Sequence, residues 1–132
     1  VRYLAASNPN GGLWIESPAQ RAQAEKWMDW ASTTLYNDFR DIIMHLIRLP
    51  EDKRDPAILQ RGIDGLTRSF QIAEETLSTQ PWLSGETFGI GDIPLGCYAY
   101  AWFEFPMTRP SLPHFATASP HRATAPIPAS AY

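Results

Sequence analysis

The stretch "QPWLSGETFGIGDIPLG", residues 80–96, decides how the rest of the chain is interpreted. It contains four glycines and one aspartate, Asp92. A phosphate-binding loop needs glycines between a strand and a helix, with a lysine that reaches the phosphates, and this stretch has neither the strand nor the lysine. A catalytic Asp92 needs a partner acid or base, and none is evident nearby. The third interpretation, the start of a helix, explains more of the residues.

Four residues of the stretch fit the start of a helix. With Gly89 as the N-cap, Asp92 is the third helical residue, and its carboxylate can accept the N–H of the cap. Phe88 and Ile93 then stand at the two positions of a hydrophobic staple. Pro94 conflicts with this pattern, because it removes an early hydrogen bond and bends the first turn. The apolar residues that follow predict a helix over about residues 90–103, buried at the centre of a bundle.

A long helix is predicted upstream of this one. Ser17, Pro18 and Gln20 have the spacing of a capping box with a proline in the first turn, so the helix begins at Pro18. Apolar side chains recur with a period near 3.6 residues up to about Arg48, and Pro50 ends the helix.

A second long helix follows a short charged loop. Asp55 before Pro56 repeats the cap-then-proline signal, and an apolar stripe continues to about Ser78. Two long helices joined by a short loop pack antiparallel. No strand pattern occurs, so the predicted fold class is all-α. Residues 106–132 contain six of the twelve prolines and no acidic residue. They predict at most a short helix over residues 111–118 and an irregular Pro/Ala-rich tail.

Composition limits the classes of function. The 132 residues fit one domain, and a net charge of −3 gives no basic surface for nucleic acid. The single cysteine, Cys97, lies in an apolar run and is predicted to be a buried, unreactive thiol in a reducing cytoplasm. The longest apolar run, residues 93–103, is shorter than the roughly 20 residues that span a bilayer. The three histidines have no metal-ligand spacing, so no metal site is predicted.

Several stretches together resemble one known family. "WLSGETFGIGDIPLG" resembles the segment that leads into the central helix of the C-terminal domain of cytosolic glutathione transferases. "VRYLAA" is similar to the end of the last helix of their thioredoxin-like half. "LWIESPAQRAQAEKWMDWASTTL" is similar to the linker and first long helix, and "WFEFPMTRPSLPHF" to the exit from the central helix. The resemblance covers about residues 1–115 and is closest to the bacterial theta-like and beta-like branches.

The resemblance implies a domain organisation and a function. Residues 1–6 are expected to be a remnant of the thioredoxin-like half, 7–17 the linker, 18–115 the C-terminal helical domain and 116–132 an irregular tail. A complete parent would conjugate glutathione, its co-substrate, to electrophilic small molecules, with this domain lining the apolar second-substrate pocket. The positions of Tyr36, Asn37, Arg40 and Trp102 are expected to line that pocket. The groups that activate glutathione belong to the thioredoxin-like half, so no catalytic residue and no bound cofactor are assigned here, and the isolated chain is expected to be inactive.

Two departures from the family leave room for different interpretations. Family members usually have Ser or Thr at the position of Gly89, and they have an aromatic-rich closing helix where this chain has "ATASPHRATAPIPASAY". One interpretation is a truncated or frame-disrupted coding sequence. Another is a non-catalytic helical interaction module. The protein partner expected for this chain is a second copy in a homodimer or a thioredoxin-like half. Neither nucleic acid nor a membrane is expected as a partner.

Overall fold

The computed structural model describes residues 1–118, and these fold into six α-helices. They are α1 (Arg2–Ser7), α2 (Pro18–Thr34), α3 (Tyr36–Ile43), α4 (Pro56–Leu77), α5 (Asp92–Glu104) and α6 (Pro113–Ala118). Short 3₁₀ turns lie at Pro9–Gly11 and Glu51–Lys53, and a π-helical turn at Met44–Arg48 follows α3. Apart from one isolated bridge between Trp82 and Gly85, residues 1–118 contain no β-structure. The all-α prediction is therefore confirmed.

The first long helix begins as predicted but is not continuous. The Ser17 side chain accepts the N–H of Gln20, and Pro18 is the first helical residue. The predicted single helix over residues 18–48 is wrong, since α2 ends at Thr34 and α3 begins after Leu35. The hydroxyls of Ser32 and Thr33 donate to the carbonyls four residues earlier, at 2.9 and 2.8 Å. Such bonds compete with the backbone ladder and bend helices, which accounts for the break.

Helices α3 and α4 are in close contact because α4 has glycines where they cross. A Cβ atom on Gly62 would lie 2.8 Å from the carbonyl oxygen of Asp38, and one on Gly65 would overlap the Asp38 carboxylate. The predicted start of α4 is confirmed, since Asp55 accepts the N–H groups of Ala57 and Ile58 at 2.8 and 3.4 Å. The backbones of α3 and α4 therefore approach more closely than larger residues would allow.

Helix α5 begins two residues later than predicted. Its N-cap is Gly91, not Gly89. Pro94 has no N–H to donate to the carbonyl of residue 90, so the α-helical ladder cannot begin there. The preceding turn is instead closed by the N–H of Asp92, which donates to the Gly89 carbonyl at 3.1 Å. Phe88 stacks edge-on against Trp82 at 5.2 Å and is 43% exposed, while Ile93 is half-buried.

The carboxylate of Asp92 ties the loop to the helix. It accepts the Gly89 N–H at 3.0 Å, as predicted, and also the N–H groups of Leu83 at 2.7 Å and Ser84 at 3.3 Å. Asp92 is only 9% exposed. Burying a charged carboxylate is costly unless hydrogen bonds compensate it, and here three backbone donors do so. This bonding is that of a structural anchor.

The core lies between α4, α5 and α6, with α2 and α3 closing one side. Trp102 and Phe115 both pack on Phe70, with ring centroids at 5.2 and 4.6 Å. The prediction that α5 is buried at the centre of a bundle is correct for one face only, because Cys97, Tyr100 and Glu104 on another face are exposed. An apolar composition all round indicates burial only when a neighbour covers each face. Within residues 1–118, α5 is covered mainly on the face that carries Leu95, Ala99 and Trp102.

One side chain of α4 caps the first turn of α6. The Glu74 carboxylate accepts the N–H groups of His114 at 3.1 Å and Phe115 at 2.7 Å. The short helix expected over residues 111–118 is present, so residues 116–118, expected to belong to the irregular tail, are helical. The remaining tail prediction, residues 119–132, lies outside the described residues.

Candidate functional site

A groove runs between α3 and α5, and we call it the α3–α5 groove. Its volume is about 480 Å³, within the range of roughly 300 to 1,000 Å³ that is typical of small-molecule pockets. It is lined by Ser32, Tyr36, Phe39, Arg40, Ile43, Pro94, Cys97 and Tyr98. Most of these side chains are apolar or aromatic, with a few polar groups among them. This is the usual composition of a ligand site.

Helical spacing brings the α3 residues to one face. Tyr36, Phe39, Arg40 and Ile43 are three or four residues apart, so they follow one another along the same side of the helix. Helix α3 begins at Tyr36, which is 56% exposed. Ser32 of α2 lies four residues before Tyr36 and also lines the groove, so this wall continues across the junction of α2 and α3.

Two aromatic rings connect the walls of the groove. Phe39 of α3 packs edge-on against Tyr98 of α5, with centroids 4.7 Å apart, and Phe39 also stacks on Phe105 at 6.1 Å. Burial raises the pKa of the Tyr98 phenol, and its neighbours Cys97 and Tyr36 raise it further. Tyr98 is therefore a neutral phenol at physiological pH, able to donate a hydrogen bond but unsuited to act as a base.

Arg40 lies at the rim of the groove in a network of ion pairs. Its Nη2 is 3.0 Å from Oδ1 of Asp41, while Nη2 of Arg61 on α4 is 2.9 Å from Oδ2 of the same carboxylate. The Arg61 hydrogen bond is the main reason that the pKa of Asp41 is lowered, and Arg40 lowers it further. One carboxylate thus binds two guanidinium groups, and the three groups carry a net positive charge.

The structure brings together two of the four predicted pocket residues. Tyr36 and Arg40 line the α3–α5 groove. Asn37 is exposed on α3 and is not among the groove-lining residues. Trp102 is fully buried in the core against Phe70. A substrate role for these residues stays a prediction, and for Trp102 the observed position is that of a core side chain.

Most of the groove was not predicted from the sequence. The unpredicted lining residues are Ser32, Phe39, Ile43, Pro94, Cys97 and Tyr98. The spacing of Tyr36, Phe39 and Ile43 could have identified the α3 wall, whereas no local signal indicates that α5 lies opposite. The prediction of a buried thiol at Cys97 is wrong, because its side chain is exposed. It lies on a face of α5 that is exposed within residues 1–118.

A second cavity of about 480 Å³ lies on the other side of Cys97, and we call it the α5 cavity. It is lined by Phe88, Asp92, Ile93, Gly96, Cys97, Tyr100 and Ala118. Cys97 is common to both cavities, so within residues 1–118 the two cavities adjoin along α5. Phe88 and Ile93, the predicted staple pair, both line this cavity.

Two kinds of feature are absent from residues 1–118. No cluster of three or more His, Cys, Asp or Glu side chains has the arrangement of a metal site there. In the same part of the chain, no helix combines the length and apolar character needed to cross a bilayer.

Comparison with curated proteins gives a consistent set of relatives. No protein-family model matches the chain. The chain is 44% identical over 115 residues to glutathione S-transferase GstB of Escherichia coli K12, a match that covers 85% of this chain and 55% of GstB. It is 32% identical over 87 residues to glutathione S-transferase U22 of Arabidopsis thaliana, covering 66% of this chain and 35% of that protein. The chain thus spans about half the length of GstB, and less of U22.

Solved structures show the same relationship. The theta class glutathione S-transferase of Xanthomonas axonopodis pv. citri matches with a TM-score of 0.87 and 40% identity, over 95% of this chain and 65% of that one. That enzyme has been solved both without a ligand and with glutathione bound. A glutathione transferase of Burkholderia graminis matches with a TM-score of 0.64 at 20% identity, which is a likeness of fold alone.

Proposed function

We propose that this chain, which is homologous to bacterial glutathione transferases and has the all-α fold of their C-terminal domain, supplies the second-substrate wall of such an enzyme. The observation that carries this proposal is the α3–α5 groove, whose lining includes Tyr36 and Arg40. Aromatic faces at Phe39 and Tyr98 suit a planar apolar electrophile. The electrophile would lie in this groove with its reactive carbon directed away from the domain, toward the glutathione sulfur.

The reaction divides the work between two halves of the parent enzyme. The thiol of glutathione loses its proton, the thiolate attacks the electrophilic carbon, a C–S bond forms, and the leaving group departs with the bonding electrons. We assign activation of the thiol to a thioredoxin-like half and apolar positioning of the electrophile to this domain. Positioning alone does not lower the pKa of a thiol, so we propose that these 132 residues do not catalyse conjugation by themselves.

The proposed partners follow from this division. The domain would associate with a thioredoxin-like half and, through it, form a homodimer. We place the protein in the cytoplasm, with no nucleic-acid or membrane partner.

A chimera tests the proposal. The thioredoxin-like half of E. coli GstB would be fused to this chain, and conjugation of an aryl halide would be followed spectrophotometrically. We expect turnover by the chimera and none above the uncatalysed rate by the chain alone. Tyr36→Ala should lower kcat/KM roughly threefold to tenfold through lost ring contact. Glu75→Ala, which changes an exposed residue of α4 outside the groove, should leave kcat/KM unchanged.

Two results would contradict the proposal. Conjugation by the isolated chain would show that the activating group lies in these residues. A folded, active chimera in which Tyr36→Ala and Glu75→Ala behave alike would show that the electrophile binds elsewhere.

The second candidate function is a non-catalytic interaction module, and the α5 cavity is the observation that favours it. Phe88 and Tyr100 are 43% and 39% exposed beside this cavity, and exposed apolar surface favours association. Size-exclusion chromatography of the chain, alone and with the separately expressed GstB thioredoxin-like half, distinguishes a monomer from an associated form. A monomer that does not bind that half would exclude this function.

A further inference from the structure

We propose that Arg40 makes the α3–α5 groove selective for aromatic ligands that carry a negative charge, such as a carboxylate or sulfonate. This inference rests on the proposed function, because it names the class of molecule that the same groove binds. It is carried by the charges around the groove and by the way Arg40 is held.

Arg40 gives the groove its charge. Among the described residues that line the groove it is the only one with a formal charge, and no carboxylate stands among them. The aromatic side chains that line the groove are Tyr36, Phe39 and Tyr98, and the rings of Phe39 and Tyr98 are in contact. A cation at the edge of an apolar surface attracts an anion more strongly than one surrounded by water. A planar ring with an anionic substituent matches this arrangement, with its ring against these aromatic side chains and its anion at Arg40.

The ion pair with Asp41 does not prevent Arg40 from binding an anion. Asp41 has one oxygen for each guanidinium, with Arg61 bonded to Oδ2 and Arg40 to Oδ1. If Arg40 turns toward a ligand, Arg61 still compensates the Asp41 carboxylate, which is only 14% exposed. The Arg40 side chain is 54% exposed and therefore free to reorient. Arg61 thus remains bonded to Asp41 while Arg40 binds a ligand in the groove.

Two fluorescent probes with the same rings test the inference. Anilinonaphthalene sulfonate carries a negative charge, whereas N-phenylnaphthylamine has the same ring system without the sulfonate. Both would be titrated into the 132-residue chain and into Arg40→Gln, Arg40→Lys and Lys53→Gln. We expect Arg40→Gln to weaken binding of the sulfonate roughly twofold to fivefold and to leave binding of the amine unchanged. Arg40→Lys should retain most of the sulfonate affinity.

Protection of Cys97, combined with Tyr36→Ala, shows whether the probes occupy this groove. Cys97 is the only cysteine in the sequence and lines both the α3–α5 groove and the α5 cavity, so either probe should slow its alkylation by iodoacetamide. Tyr36 lines the groove alone, so Tyr36→Ala should reduce that protection when the groove is the site. Lys53→Gln removes the same charge from a loop outside the groove and should change neither affinity.

Each other outcome overturns the inference in a distinguishable way. Equal effects of Arg40→Gln on both probes, no effect on either, or an equal effect of Lys53→Gln would disprove charge selection by Arg40 while leaving the groove as a binding site. Unprotected Cys97 with both probes would contradict the proposed function as well, because the groove would then be empty.

Discussion

The hydroxyl of Ser84 accepts the N–H of Gly91 at 3.0 Å, so a loop residue caps the first turn of α5 from outside the helix. A Cβ on Gly89 would lie 2.8 Å from both Cβ and Oγ of Ser84, which means that the two positions share one space. In the family that the sequence resembles, a Ser or Thr hydroxyl is expected at the position of Gly89. In this chain the Ser84 hydroxyl takes its place.

This exchange predicts coupling between two substitutions. Gly89→Ser alone should destabilise the fold, because its side chain meets Ser84. Ser84→Gly alone should cost about 1 kcal/mol for the lost cap. The double variant should be more stable than the sum of the single effects, since the introduced hydroxymethyl group then has room. A double-mutant cycle by urea unfolding measures the coupling, and strict additivity would contradict the exchange.

Among the polar residues at the start of α5, Asp92 should cost the most stability when it is substituted. Asp92→Ala leaves the N–H groups of Leu83, Ser84 and Gly89 without their acceptor. We expect a loss of roughly 3 kcal/mol in the free energy of unfolding, because buried donors are costly when unsatisfied. Asp64→Ala, an exposed aspartate on α4, is the matched control and should cost less than about 0.5 kcal/mol. Equal losses would show that Asp92 is not an anchor.

The crossing of α3 and α4 predicts different behaviour for two glycines. A Gly→Ala substitution in a helix normally raises the free energy of unfolding by about 1 kcal/mol. Here both Gly62→Ala and Gly65→Ala should lower it, because the added methyl group has no room at the crossing of α3 and α4. The three atoms nearest to a Cβ on Gly65 all belong to the Asp38 side chain, so adding Asp38→Ala should restore stability. Gly62→Ala meets the Asp38 carbonyl, which no side-chain substitution removes. Thermal unfolding of the single and double variants checks the pattern, and rescue of both glycine variants by Asp38→Ala would contradict it.

Asp38 and Asp41 should shift the pH dependence of stability in opposite directions. The pKa of Asp41 is lowered, chiefly by Arg61, so the folded state binds fewer protons than the unfolded state, and Asp41 stabilises the fold above about pH 4. Asp41→Asn should therefore lose up to about 1 kcal/mol at pH 7. That loss should disappear as the pH falls through the lowered pKa.

For Asp38 the sign is reversed. Burial raises its pKa, with Asp41 adding to the effect and Arg68 opposing it, so the folded state binds more protons. Ionisation of Asp38 then costs stability, and Asp38→Asn should stabilise the fold at pH 7 but not below about pH 4. Urea unfolding from about pH 3 to 7 measures both variants. Curves that shift in the same direction would contradict the assignment.

Glu74 should control the attachment of α6. Glu74→Ala removes the acceptor of two N–H groups in the first turn of α6, at His114 and Phe115. We expect a loss of about 2 kcal/mol and faster hydrogen exchange at the Phe115 amide. Glu75→Ala, the exposed neighbour, is the control. If both variants exchange alike at Phe115, the carboxylate does not hold α6.

The sequence predicts local events better than contacts between helices. The starts at Pro18 and Pro56 are confirmed because cap and proline act within four residues of one another. The apolar period continues through Leu35 and so predicts one helix over residues 18–48, while the hydroxyls of Ser32 and Thr33 interrupt that helix without changing the period. The start of α5 lies two residues beyond its predicted place because Pro94 acts as a missing donor and not only as a bend.

Of the candidate site, Tyr36 and Arg40 are predicted through a family resemblance, and Phe39 shares their spacing on α3. The opposite wall, with Pro94, Cys97 and Tyr98, is separated from α3 in sequence by the whole of α4. No local pattern indicates which face of α5 stays uncovered. Exposure of Cys97 follows from what packs around α5, not from its apolar neighbours in the chain.

The sequence alone therefore determined the helical class, the starts of the two long helices and the hydrogen bond between Gly89 and Asp92, because caps, prolines and periodicity act over a few residues. Only the tertiary structure decided that Ser84 caps α5, that Glu74 holds α6 and that α3 and α5 enclose a groove with Arg40 at its rim. These contacts join residues distant in sequence, and they depend on the close approach of backbones that no local preference specifies.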